Sequence, residues 1–148
     1  MTKFDINGAD AVGSRNFANG FGPQPEIRAN GGVTWASGDH SANITVRYVD
    51  SYENDQSNNA EIESYTTVDL NYGLIVSGLL GDNDTTFSVG INNVFDQEPP
   101  ALRKADANGN LITQEAQPIG WVDRPGYDDR SGASLLGRTV FFNVKQAF

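Results

Sequence analysis

Hydrophobic and polar residues alternate along five separate stretches of the chain: residues 27–36, 42–52, 65–76, 85–95 and 137–148. In the last stretch Val140, Phe142 and Val144 share one parity, whereas Asn143 and Lys145 share the other. Because successive side chains of a strand point to opposite faces, this two-residue period predicts a strand with one apolar and one polar face. The same alternation in the four earlier stretches predicts an all-β chain.

The connections between these strands alternate in length. Residues 37–40 and 78–84 are short, whereas residues 7–25 and 96–134 are long and residues 53–63 form an acidic loop of medium length. Transmembrane β-barrels have strands of about 9–11 residues, short turns on the periplasmic side and longer loops outside. The lengths therefore predict an antiparallel meander of about five to six strands, an open fragment of a large transmembrane β-barrel.

The final strand ends on Phe148, with no polar residue after it. In an outer-membrane barrel, aromatic side chains form girdles at the two membrane interfaces. We therefore expect Phe148 to lie at the periplasmic interface, with Trp35 near the same rim. Tyr52 and Tyr65 are expected in the girdle at the opposite rim.

Composition excludes several other classes of protein. The 148-residue chain has a formal net charge of -9, which argues against a nucleic-acid partner because phosphate binding needs a basic surface. It has no cysteine and one histidine, His40, so we expect no disulfide, no metal site and no cofactor. The sequence shows no nucleophile–base pair, so we do not expect an enzyme.

The beginning of the chain does not resemble a secretion signal, because no apolar core follows the basic residue Lys3. No apolar run reaches the roughly 18 residues of a membrane helix. If the protein is exported, the signal peptide is expected upstream and the sequence is a fragment.

Residues 91–100 read Ile-Asn-Asn-Val-Phe-Asp-Gln-Glu-Pro-Pro. This stretch resembles the Asn-x-Phe-Asp-x-x-Pro-Pro motif near the end of TonB-dependent outer-membrane receptors. Tyr127-Asp128, and Gly137-Arg138 before the aromatic-ended strand, are similar to the last segment of that family. The resemblance covers roughly residues 15–148, with the earlier strands in the matching order.

The resemblance implies that residues 1–148 are the C-terminal part of a receptor barrel in the outer membrane of a Gram-negative bacterium. Such barrels have about 22 strands, enclose an N-terminal plug domain, and take up iron chelates, cobalamin or carbohydrates. The implied partners are outer-membrane lipid, the rest of the barrel and plug, the TonB complex through the missing N-terminal part, and the barrel-assembly machinery through the C-terminal strand. Five strands cannot close a barrel, so this chain is not expected to transport alone.

Candidate ligand-binding residues lie in the long loop of residues 96–134. Trp121, Arg124 and Tyr127 combine aromatic and cationic groups, which suits a chelate or a sugar, although ordinary loop residues have the same composition. Residues 106–110, Asp-Ala-Asn-Gly-Asn, predict a hairpin turn. They lack a calcium-loop glutamate, because the twelfth position is Gln117.

Other candidates have structural roles. Asn93, Phe95, Asp96 and Phe148 belong to the motif and the closing strand of the resemblance, with Asp96 expected to cap the start of the loop. Arg47 and Asp69 have the polar parity on adjacent strands, and a cross-strand ion pair is preferred to a ligand contact.

An alternative from another class is a secreted β-sandwich carbohydrate-binding module, with Trp35 and Trp121 as sugar platforms. The two readings differ in where the apolar faces go. In a sandwich the faces of two sheets bury each other. In a barrel segment Leu70, Val89 and Phe142 belong to one exposed outer band.

Overall fold

The computed structural model describes residues 5–6, 9–16, 22–55, 60–79, 83–106, 108, 110–113, 118–119, 122–123, 126–128 and 131–146. Within these ranges, no helix is long and apolar enough to cross a membrane. The regular elements are strands: β1 (Asp5–Ile6), β2 (Ala9–Asp10), β3 (Arg28–Ser37), β4 (His40–Val49), β5 (Tyr52–Asn54), β6 (Ala60–Ile62), β7 (Tyr65–Ser77), β8 (Asp84–Asn92), β9 (Arg103–Ala105), β10 (Leu111–Thr113), β11 (Pro118–Ile119), β12 (Val122–Asp123) and β13 (Thr139–Gln146).

The five long strands form one open antiparallel sheet in the order β13-β8-β7-β4-β3. Each long strand pairs with the next long strand along the chain, which confirms the predicted all-β class and the meander. Strands β13 and β3 are the two edges of this sheet, so each has a long strand on one side only. Two-stranded pairs β1-β2, β5-β6, β9-β10 and β11-β12 complete the described strands.

The register of the sheet brings the apolar positions of neighbouring strands side by side. Val140 pairs with Ile91 and Ile91 with Leu70, and the next row joins Phe142, Val89 and Tyr72 in the same way. Paired residues project from the same face of a sheet, so the alternation places an apolar face across β7, β8 and β13. This face is open to solvent: Val140 and Phe142 are each 67% exposed, and Val33 on β3 is 66% exposed.

The opposite face of the sheet is mostly polar and also carries the Phe141 ring. Asn143 pairs with Ser88 and Lys145 with Thr86, whereas Phe141 pairs with Gly90. A β-carbon at Gly90 would overlap the Phe141 ring, so the missing side chain makes room for that ring to lie across β8. An aromatic ring that covers a strand glycine in this way restores packing that the glycine cannot supply.

Two compact units make up the chain. One comprises Met1–Arg28, Tyr48–Tyr65 and Glu98–Leu135, and the other comprises Ala29–Arg47, Thr66–Gln97 and Leu136–Phe148. We call them the loop unit and the sheet unit. Tyr52, Ile62 and Leu102 form a buried hydrophobic cluster in the loop unit.

The prediction that residues 53–63 form a loop is wrong, because strands β5 and β6 pair antiparallel there. Tyr52 and Asn54 of β5 are buried, and so are Ala60 and Ile62 of β6, whereas Glu53 and Glu61 point outward. The stretch thus has a two-residue period, which its exposed acidic residues conceal.

Three further expectations need correction. Strand β4 ends at Val49 and β8 ends at Asn92, so neither Tyr52 nor Phe95 extends the strand before it. Tyr52 and Tyr65 are 3% and 8% exposed, so they do not form the expected aromatic girdle. Tyr52 is buried because the chain leaves the main sheet after Val49 and enters the hairpin of the loop unit.

The expected hairpin turn at residues 106–110 is confirmed, since the Asp106 amide donates to the Asn110 carbonyl at 2.9 Å between β9 and β10.

Replacing Gly90 with valine should lower the free energy of unfolding by about 1–3 kcal/mol, because the new side chain competes with the Phe141 ring for the same space. Urea unfolding in detergent, followed by circular dichroism, measures this loss. The matched control is Gly31→Val on β3, where a β-carbon meets no atom within 4 Å. In the Phe141→Ala background the cost of Gly90→Val should shrink, and an unchanged cost there would contradict the proposed overlap.

Candidate functional site

A buried ion pair holds distant segments of the loop unit together. The Arg15 Nε donates to Asp128 Oδ1 at 3.0 Å, and the Tyr52 hydroxyl donates to Asp128 Oδ2 at 2.7 Å. The side chains of Arg15 and Asp128 are 4% and 0% exposed. Burial of a lone carboxylate is costly, so both donors are needed to compensate Asp128 for the loss of water.

Backbone contacts bring these three residues to one place. The Arg15 amide donates to the Glu53 carbonyl at 2.8 Å, which sets residue 15 beside strand β5. The Leu102 amide donates to the Gly126 carbonyl at 2.7 Å, and Ala101 forms a bridge with Tyr127, which places Asp128 in the same unit. The cluster therefore joins segments from the beginning, the middle and the end of the chain.

Burial is the largest cause that raises the pKa of Tyr52 well above its ordinary value, and the hydrogen bond to the Asp128 carboxylate and the charge of that carboxylate raise it further. The positive charges of Arg15 and Arg28 act in the opposite direction and are weaker. The phenol consequently stays protonated and remains a donor to Asp128. This arrangement is suited to holding the unit together.

An open cleft of about 640 Å³ lies beside this cluster. Its polar lining carries four carboxylates and the backbone of a glycine–serine turn; the lining residues are Val12, Gly13, Ser14, Glu26, Asp50, Ser51, Tyr52, Glu53 and Glu61. Glu53 and Glu61 are opposite each other in the β5-β6 register, so two like charges stand side by side. Glu63, another acidic residue of this stretch, pairs with Arg103 at 2.6 Å.

The described residues contain no group of three or more His, Cys, Asp or Glu that could hold a metal ion. The negative potential of the cleft favours cationic groups over anionic ones.

Tyr127 is the only one of the three predicted ligand residues in the described part of the chain; Trp121 and Arg124 lie outside it. The Tyr127 hydroxyl donates to Glu98 Oε2 at 3.3 Å. The negative charge of Glu98 is the main cause that raises the pKa of Tyr127, with burial and the hydrogen bond as smaller causes. Tyr127 is half-buried and next to the buried Asp128, so its backbone is held in place.

The residues of the Asn-x-Phe-Asp motif form a tight corner after β8 in the sheet unit. Asn93 and Asp96 have positive φ angles of 53° and 56°, and the Asp96 amide donates to the Asn93 carbonyl at 2.9 Å. The Asn93 side chain closes the corner twice: its Oδ1 accepts from the Gln97 amide and its Nδ2 donates to the Gln97 carbonyl, both at 2.9 Å. Asparagine tolerates the left-handed conformation better than most residues because its short amide bonds nearby backbone.

This corner contacts the strands on both sides of β8. Asp69 Oδ1 on β7 accepts from the Asn93 amide at 2.9 Å, and the Val94 amide donates to the Val68 carbonyl at 2.8 Å. Asp96 Oδ1 accepts from the Arg138 amide at 2.7 Å, just before β13. Asp96 therefore caps the backbone just before β13. The sequence predicted a cap at the start of the loop instead, so the observed partner lies much farther along the chain. Phe95 is 76% exposed and Phe148 lies outside the described residues.

The predicted ion pair between Arg47 and Asp69 is confirmed, with Arg47 Nη1 bonded to Asp69 Oδ2. The Arg47 side chain is 57% exposed, whereas that of Asp69 is 8% exposed. Since its other oxygen accepts from the Asn93 amide, Asp69 links the ion pair to the motif corner.

Sequence reasoning missed the cluster of Arg15, Tyr52 and Asp128. Arg15 and Tyr52 are 113 and 76 residues from Asp128 along the chain, so no local sequence pattern connects the three. The available signal was weak: Tyr52 and Asn54 alternate with acidic residues, which is the pattern of a hairpin strand.

We expect Tyr52→Phe to destabilise the chain by about 1–3 kcal/mol at neutral pH, because buried Asp128 loses a hydrogen-bond donor. The folded pKa of Tyr52 is raised, so the phenol contributes stability that is fully present below the unfolded value of about 10 and is lost as pH rises through the folded value. The variant should therefore lose less stability than the wild type above about pH 10. Urea unfolding at pH 7 to 11 measures both effects, with Tyr72→Phe, on the exposed face of the sheet, as the control. An alkaline slope unchanged by Tyr52→Phe would refute the assignment.

Asn93→Ala should cost more stability than Asn93→Gly by about 1 kcal/mol. Both variants lose the two bonds to Gln97, but only alanine is strained at a φ of 53°. Phe95→Ala, at an exposed position of the same corner, should change the urea unfolding midpoint little under the same detergent conditions. Equal costs for alanine and glycine at position 93 would show that the positive φ does not matter for stability.

No protein-family model, no curated protein and no solved structure matches this chain.

Proposed function

We propose that this chain forms part of the barrel wall of a TonB-dependent outer-membrane receptor, which takes up iron chelates, cobalamin or carbohydrates. Strands β3, β4, β7, β8 and β13 are its transmembrane strands, with the apolar face toward lipid and the polar face toward the barrel interior. The proposal rests on the resemblance of residues 91–100 and the closing strand, together with the geometry of the sheet unit.

The observation that carries the proposal is the exposure of a continuous apolar face. Val33 and Trp35 on β3 are 66% and 52% exposed, and Phe142 and Val144 on β13 are 67% and 48% exposed. Water-soluble proteins rarely leave so large an apolar surface uncovered unless it meets a partner or a membrane. Acyl chains would cover every strand of this face at once.

The open edges of the sheet are consistent with a missing remainder of the barrel. Within the described residues no strand pairs with the outer side of β13 or β3, and an open strand edge is costly in lipid unless another strand covers it. In the proposed receptor the rest of the barrel pairs with both edges, and the barrel-assembly machinery engages β13 before closure. This fragment would therefore not transport a ligand by itself.

The lengths and polarity of the sheet also suit a membrane wall. Strands β3, β4, β7 and β8 have 9–13 residues, close to the roughly 9–11 residues that cross a bilayer. The polar face carries the Arg47–Asp69 pair in the middle of the sheet, where a barrel interior would hold water. In the same proposal Trp121, Arg124 and Tyr127 contribute to ligand capture from the loops.

The β-sandwich alternative requires a second sheet over the apolar face. Within the described residues, Leu70, Tyr72 and Val89 are 38–40% exposed. That exposure favours the membrane reading over the sandwich.

Single-cysteine labelling tests the proposal, because the chain has no native cysteine. Cysteine at Phe142 on the apolar face and at Asn143 on the polar face is compared after refolding the full chain with phospholipid vesicles. We expect lipid to slow the reaction of Phe142→Cys with an aqueous maleimide several-fold and to leave Asn143→Cys reactive. Protection of Phe142→Cys in buffer without lipid would support the sandwich, and equal labelling of both positions with lipid would contradict the membrane reading.

A further inference from the structure

Four asparagines of the chain are followed directly by glycine: Asn7, Asn19, Asn30 and Asn108. Such a pair is chemically labile, because the backbone nitrogen of the next residue can attack the side-chain carbonyl carbon of the asparagine. A glycine at the next position has no side chain to hinder that attack. Asn7 and Asn19 lie outside the described residues, whereas Asn30 and Asn108 lie within them. The structure places these two in very different settings.

Asn30 lies inside β3, which is hydrogen-bonded to β4. The attack requires the asparagine to rotate about its Cα–C bond, out of the extended conformation, until the next nitrogen faces its own side chain. In β3 this rotation would turn the following residues out of the ladder. Gly32 shows how closely they are held, because a β-carbon there would lie only 2.7 Å from the Ile44 carbonyl oxygen. The strand therefore keeps Asn30 in an unreactive conformation.

Asn108 lies in the hairpin turn between β9 and β10 and is exposed to water. The Asp106 carboxylate organises this turn, since its Oδ1 accepts from the backbone amides of Asn108 and Asn110, both at 2.8 Å. Its Oδ2 accepts from the Asn110 side chain at 3.1 Å. Asn108 belongs to neither strand, so its side of the turn can rotate without breaking a strand pair.

We propose that Asn108 is a site of spontaneous deamidation in the folded protein. The backbone nitrogen of residue 109 attacks Asn108 Cγ, the new carbon–nitrogen bond closes a succinimide ring, and the side-chain nitrogen leaves as ammonia. Water then opens the ring at either of its carbonyl groups, which gives aspartate or isoaspartate. The net change consumes one water and releases one ammonia, and it needs no oxidant or reductant.

Both products disturb the turn. Aspartate at position 108 places a second carboxylate in the short turn that Asp106 organises, and the two like charges repel each other. Isoaspartate adds a methylene group to the backbone between the residue 108 and 110 amides, which both bond to Asp106 Oδ1. The hairpin therefore loosens, although β9 stays attached where Asn54 Nδ2 donates to the Arg103 carbonyl at 3.0 Å. This inference concerns the loop unit and does not depend on the proposed membrane function.

Peptide mapping by tandem mass spectrometry measures the reaction, because replacing the amide nitrogen by oxygen changes the peptide mass. The full chain, folded in detergent, is incubated at mildly alkaline pH, and Asn30 serves as the internal control. We expect Asn108 to be converted several-fold faster than Asn30, with isoaspartate among the products. Equal rates at the two positions in the folded chain would overturn the inference, and so would aspartate without any isoaspartate, since direct hydrolysis gives aspartate alone.

The same incubation in urea separates the effect of the fold from that of the sequence. Unfolding frees Asn30 from the β3-β4 ladder, so its rate should rise toward that of Asn108. If Asn30 reacts as slowly in urea as in the folded chain, β3 does not protect it and the inference is overturned. Asn108→Gln should abolish the conversion at this position and leave the urea unfolding midpoint nearly unchanged, because the Asp106 bonds to the backbone amides remain.

Discussion

The alternation of apolar and polar side chains, kept in register across neighbouring strands, is the constraint on which the sheet unit depends. A shift of one residue in any pair would turn every side chain of that strand to the other face. The observed pairing keeps Val140, Ile91 and Leu70 in one row and Phe142, Val89 and Tyr72 in the next. A sheet of this kind has one face that water solvates well and one that it does not. Its stability therefore depends on what covers the apolar face.

The loop unit is stabilised in a different way. It has a small buried hydrophobic cluster, and a buried carboxylate, Asp128, takes its donors from Arg15 and Tyr52. Removing one partner of such a set leaves a buried charge without compensation, which costs more than the loss of a surface pair. The three residues are far apart in sequence, so the cluster forms only when the loop segments have assembled. This makes the long connections a folded unit with its own interior.

Local patterning predicted the sheet well and the loop unit poorly. The five long strands, their faces, the turn at residues 106–110 and the Arg47–Asp69 pair follow from a two-residue period and from adjacency along the chain. The β5-β6 hairpin was missed because its outward residues are acidic, although Tyr52 and Ile62 alternate as strand residues should. The Arg15–Asp128 pair could not be predicted, because residues 113 positions apart share no local signal. A structural role for Asn93 was predicted from the motif. Its positive φ and the contact of Asp96 with Arg138 were not predicted, because they depend on how the folded chain brings distant residues together.

The motif corner explains how β13 is positioned beside β8 although a long connection separates the two strands. Between β8 and β13 lie 46 residues, since β8 ends at Asn92 and β13 begins at Thr139. Closing a connection of this length costs entropy, and that cost grows only slowly with length. Asp96 and Arg138 meet at the two ends of this connection, and Gly137, at a φ of 62°, leaves no β-carbon to collide with the Asp96 carboxylate. The corner also bonds to β7 through Asp69 and Val68, so one short segment positions β7, β8 and β13 together. Strand β13 is thereby held on the side where it pairs with β8.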